Sequence, residues 1–111
     1  MAKWATTPVF DRRHRKLTRA QKAELVAAIR LLNATIDEHG FRFPKGGPLD
    51  LHTYTGFRRP PAVWSMDFGR DGDHRALFTV VDGDTVLWHF IGTHQQIVRW
   101  QDDVGPTGLR R

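Results

Sequence analysis

The chain has no cysteine among its 111 residues, which removes disulfides, thiolate metal sites and a cysteine nucleophile. It also has no long apolar run. No stretch approaches the roughly 20 apolar residues that a membrane-crossing helix needs, and the amino terminus lacks an apolar core of signal-peptide length. A soluble protein is expected, and the missing cysteines are compatible with a reducing, cytoplasmic setting. Internal repeats and low-complexity segments are absent too. Six histidines invite a zinc site, yet none falls in a His-x-x-x-His or His-Glu-x-x-His spacing, so neither metal nor cofactor is expected.

What is present is basic charge, unevenly placed. The formal net charge is +5, and residues 1–50 carry ten basic and five acidic side chains against seven of each in residues 51–111. Arg12, Arg13, Arg15, Lys16, Arg19 and Lys22 have no acidic residue between them. That density fits a polyanion or an acidic protein partner; the alternative is a solvated helix face. A chain of this length forms one domain burying about two-thirds of its unfolded surface. We place that domain at residues 1–104, with 105–111 as a frayed tail.

The clearest local signals lie in the last third. His74 to Val81 and Thr85 to Ile91 are rich in β-branched and aromatic residues and flank Asp82-Gly83-Asp84, which predicts a hairpin with a positive-φ turn. Leu77 and Thr79 alternate with Ala76, Phe78 and Val80. Likewise Val86, Trp88 and Phe90 alternate with Leu87, His89 and Ile91, so one face should lie under a helix and His89 on the open face. Ala62 to Phe68 alternates as a third strand, joined to the hairpin through Gly69 to Asp73. Thr93 and Gln96 make a capping box for a helix carrying Ile97, Val98 and Trp100, with His94 in its first turn at the end of the sheet.

Lys3 to Thr7 reads as a short strand stopped by Pro8. A short helix then carries Phe10, His14 and Leu17. Thr18 and Gln21 open a longer helix with Leu25, Val26, Ile29, Leu32 and Ile36 at helical spacing, ended by Gly40. Gly40 to Pro61 is loop around a short extended piece between Leu49 and Tyr54. The sum is α+β: a strand, a helical hairpin and a three- or four-stranded antiparallel meander, then a short carboxy-terminal helix, with the helical hairpin packed on one face of the sheet.

This order, with Gly-x-x-Arg-Arg-Pro-Pro-Ala-Val-Trp before one strand, Asp-His-Arg-Ala-Leu-Phe opening the next and Ile-Gly-Thr-His closing the last, resembles the RelE/ParE toxin superfamily over nearly the whole chain. His52-x-x-x-Gly56 with Gly92-Thr93-His94 looks most like its histidine-using, YafQ-like ribonucleases. The resemblance implies a small twisted antiparallel sheet with the active site on the face away from the helical hairpin. It further implies a toxin that enters the ribosome, cuts messenger RNA and is held in check by an antitoxin protein. Matched residue by residue, the catalytic candidates are His94, His52, Arg75 and Asp73. In the family a Phe or Tyr usually follows the last histidine, where this chain has Val98, with Trp100 as the nearest substitute. Asp67 stands where a basic residue is common. A gyrase inhibitor without enzymatic activity, like the ParE branch, is the alternative, as is an inactive protein-binding member.

The chemistry asks for a base to take the ribose 2′-OH proton, an acid for the departing 5′ oxygen and a cation for the phosphate. His52, His94 and Arg75 supply these types. Asp73 could orient a histidine, although Asp in a tight turn is ordinary. Arg58 and Arg59, stiffened by two prolines, are candidate phosphate contacts together with Arg12, Arg13 and Lys16, and Tyr54 is a candidate stacking platform for a base.

Overall fold

A computed structural model describes residues 3–43, 46–54, 62–69 and 72–103. The chain runs β1 (Lys3–Thr6), α1 (Pro8–Arg15), α2 (Arg19–His39), β2 (His52–Thr53), β3 (Trp64–Asp67), β4 (His74–Val81), β5 (Thr85–Thr93) and α3 (His94–Asp103). The strands form one sheet in the order β1-β5-β4-β3-β2. Arg58, Arg59, Gly56 and the expected tail at 105–111 lie outside the described residues.

The hairpin forms where the sequence places it. Asp82 and Gly83 take φ of 55° and 75°, the paired positive values that match the twist of flanking strands. Strands β2 to β5 pair antiparallel. The sheet is nevertheless mixed and has five strands, because β1 joins β5 in parallel, with Lys3 opposite Thr85 and Thr6 opposite Trp88. A cross-strand stack secures that pairing: the rings of Trp4 and Trp88 lie nearly parallel, 6.0 Å apart.

Both long-range helices start on their predicted caps. The Thr18 hydroxyl accepts from the Gln21 backbone N–H at 3.1 Å while Gln21 Oε1 accepts from the Thr18 N–H at 2.9 Å, closing the capping box. Thr93 and Gln96 close the same box for α3. At its far end α2 stops at Gly40, whose N–H reaches the Ile36 carbonyl. Leu25, Ala28, Leu32 and Ile36 line the buried stripe of α2 and join Met66, Phe78, Trp88 and Ile91 in the main core. The i, i+3, i+4 rhythm of that stripe rotates Val26 away from the sheet, leaving it 48% exposed rather than in the core.

One expectation of the alternation fails, and the cause is a β-bulge. Leu77 sits opposite Phe90 and Phe78 opposite Trp88, so His89 is an extra residue without a partner on β4. Before the bulge, Val86 and Trp88 face α2. After it Phe90 turns away and Ile91 takes its place in the main core. Phe90 therefore belongs to a second cluster, with Val63, Leu77, Ile97 and Trp100, on the opposite face beneath α3.

Candidate active site

The face away from α2 is assembled row by row from cross-strand partners, which share a face. One row runs His52, Ser65, Leu77 and Phe90, and the next runs Asp67, Arg75 and Gly92. α3 covers one side of this face through Ile97 and Trp100. On the flank, α1 takes over the β5 edge where β1 stops. There the Thr7 N–H donates to the Trp88 carbonyl at 3.0 Å, the Thr7 hydroxyl to that of His89 at 3.1 Å and Arg13 Nε to that of Ile91 at 2.6 Å.

His52 lies on the edge strand, half-exposed. Its Nδ1 is 2.7 Å from the Asp50 carbonyl oxygen, and the Asp50 carboxylate approaches the same nitrogen at 4.0 Å. A carbonyl only accepts, so Nδ1 carries the hydrogen and the neutral ring keeps its lone pair on Nε2. The neighbouring Ser65 hydroxyl is fully buried and has no hydrogen-bond partner among the described residues. His94 is the first residue of α3 and is exposed, so its ring is open to solvent at the end of β5.

The arginines differ in their surroundings. Arg75 Nε is 3.1 Å from Asp67 Oδ1, both side chains about a quarter exposed, so this cation already holds a carboxylate. Arg13 lies 4.7 Å over the Phe90 ring, which stacks in turn on Trp100 at 4.6 Å. Burial draws the Arg13 pKa down from its ordinary value, though a guanidinium stays charged at any working pH. Gly92 makes room for this arrangement: a Cβ there would lie 2.6 Å from Gln96 Oε1, 3.0 Å from Arg13 Nη2 and 3.2 Å from Phe90 Cε2.

The face thus carries His52 on the β2 edge and Arg75 on β4, with Arg13 beside β5 and His94 at the start of the helix that covers it, and strands β3 and β4 separate His52 from β5. Arg12 on α1 and Lys16 at its carboxy-terminal cap are exposed, and Asp73 is exposed just ahead of β4. Tyr54 is held by α3: its hydroxyl donates to Gln101 Oε1 at 2.7 Å, and its ring packs against the second cluster. Trp100 is 8% exposed inside that cluster, so it gives core packing and no surface for a base in place of the missing aromatic. Among the described residues, no group of three His, Asp or Glu side chains could hold a metal ion. Nor is any described helix long and apolar enough to cross a membrane.

Two features escaped sequence reasoning. Arg13 was grouped with its basic neighbours, although its i, i+4 spacing from Val9 carried the signal, since Val9 packs on the second cluster. His89 lies on the face of Thr79 and Leu77, as expected, but is buried there, 4% exposed, with Nε2 3.0 Å from the Thr79 hydroxyl.

No protein-family model matches the chain, and no curated protein does. Among solved structures it is similar to the YoeB dimer of Staphylococcus aureus, at 17% identity and a TM-score of 0.56, covering 84% of this chain and 97% of that one. It is also similar to a copper-bound mutant toxin from Helicobacter pylori, at 15% identity and a TM-score of 0.55, covering 87% and 99%. With a five-stranded sheet, a helical hairpin on one face and a short helix on the other, the chain has the α+β fold of the RelE-like toxins.

Proposed function

We propose that this chain is the toxin of a type II toxin-antitoxin pair and cuts messenger RNA on the ribosome without a metal, in the cytoplasm. The observation that carries the reading is His52: a histidine with its Nδ1 hydrogen committed to Asp50 presents a basic Nε2 on the sheet face that α3 and His94 border. The fold shared with a YoeB protein and an H. pylori toxin supports it.

In the proposed reaction His52 Nε2 takes the ribose 2′-OH proton and the 2′ oxygen attacks phosphorus. The bond to the 5′ oxygen breaks, leaving a 2′,3′-cyclic phosphate, and His94 gives its proton to the departing oxygen. Arginine on the same face stabilises the phosphate. Asp73 is proposed as an orienting group, and Arg12, Lys16, Arg58 and Arg59 as outer contacts to ribosomal or messenger RNA. The antitoxin is the proposed protein partner, and no small-molecule cofactor takes part.

A second reading keeps the fold without the chemistry. Val98, 38% exposed where the related enzymes carry an aromatic residue, and Arg75 paired with Asp67 fit an inhibitor of DNA gyrase that cuts nothing. Expression of the chain separates the two. Growth arrest with new messenger-RNA ends supports the ribonuclease, whereas arrest with intact RNA and loss of gyrase supercoiling supports the inhibitor.

A further inference from the structure

The two arginines that reach this face are in opposite electrostatic states. Arg75 faces Asp67 across the β3–β4 pair at 3.1 Å, an ion pair whose net charge is close to zero. Arg13 comes from a different element, and among the described residues no carboxylate pairs with it. Its guanidinium is fixed on two sides, by the 2.6 Å bond from Nε to the Ile91 carbonyl and by the Phe90 ring. Only Nε is spent on the backbone, so the Nη hydrogens remain for a ligand. Nη2 passes close to Gly92, which lies opposite Arg75 in the sheet and two residues before His94. A planar donor fork, pre-ordered and partly desolvated, is the geometry that binds a phosphate with little ordering cost.

We propose that Arg13, rather than Arg75, is the cation that holds the substrate phosphate at this site. The proposal rests on the ribonuclease reading above. Asp67 then acts as a brake on Arg75: it spends the charge that the sheet would otherwise offer, and α1 supplies the replacement.

The test is binding of a 2′-O-methylated RNA oligonucleotide, which cannot be cleaved through its 2′ oxygen, to the full chain over a range of salt. Arg13→Gln should weaken binding at least about tenfold, and the slope of log affinity on log salt should become shallower by about 0.7, one phosphate contact on a single strand. Arg30→Gln, on the exposed side of α2, should leave the slope unchanged. Asp67→Asn should tighten binding and steepen the slope, because it releases Arg75. Urea midpoints check that each variant folds, and if Arg13→Gln does not, Asp67→Asn decides: a gain supports the proposal and no gain overturns it. Binding that Arg13→Gln leaves unaltered while Arg75→Gln abolishes it overturns the proposal alone. No binding by the unaltered chain overturns this inference alone, because the ribonuclease reading is judged separately by cleavage on the ribosome.

Discussion

His89 shows how a single side chain ties stability to pH in this molecule. Burial lowers its pKa from 6.5 to about 4. Between those values the unfolded chain takes up a proton that the folded one refuses, so stability is full above about pH 6.5 and falls as the pH drops toward 4. The shift sets a ceiling of about 3 kcal/mol on that loss. His89→Gln, which can still hydrogen-bond Thr79 but does not titrate, should flatten the urea midpoint against pH in this window; an unchanged slope would remove His89 as its source. At the candidate site the sequence made residue types legible and their surroundings less so. His94 could be singled out from its place between a strand and a helix cap, whereas His52 and Arg75 were candidates through the family resemblance. That Arg75 is answered by Asp67 depends on a cross-strand pairing eight residues apart, and that Arg13 crosses from α1 to β5 depends on a contact spanning 78 residues.

At the scale of elements, β5 carries most of the architecture. It pairs with β1 and β4, takes α1 along its upper edge and feeds α3. Phe78 lies on β4 opposite its Trp88, fully buried and edge-on to Phe43 at 5.6 Å. Phe78→Ala should cost about 3 to 5 kcal/mol, the usual range for emptying such a site, whereas Trp64→Ala, half-buried beside Phe43, should cost less. Equal urea midpoints for the two would contradict the difference in burial between these cross-strand partners. Gly92→Ala tests the opposite limit: its methyl must push aside Gln96 and Arg13, so a loss of about 1 to 3 kcal/mol is expected, accompanied by displacement of Arg13 from Phe90. The helices, their caps, the hairpin turn and the strand segments were readable because each rests on a local pattern. The parallel pairing of β1 and the bulge at His89 were not. The first joins segments about 80 residues apart in sequence, and the second inserts one residue that reverses the face of all that follow.

For the whole molecule, the proposed function divides the work of binding between charge and fold. Arg12 on α1 and Lys16 at its carboxy-terminal cap are exposed. Reversing both charges should flatten the salt dependence of ribosome affinity without touching the chemical step, because each lost phosphate contact releases fewer counterions. An unaltered slope would assign them to solvent or to the antitoxin. The central claim concerns the face itself, and single-turnover cleavage of messenger RNA on translating ribosomes tests it most directly. A general acid or base contributes about 10²- to 10⁴-fold, so His94→Ala and His52→Ala should each slow cleavage by at least about 10²-fold while folding normally, and chelator should leave the unaltered chain at full rate. Cleavage by His94→Ala at the rate of the unaltered chain, or none by either, would contradict the account.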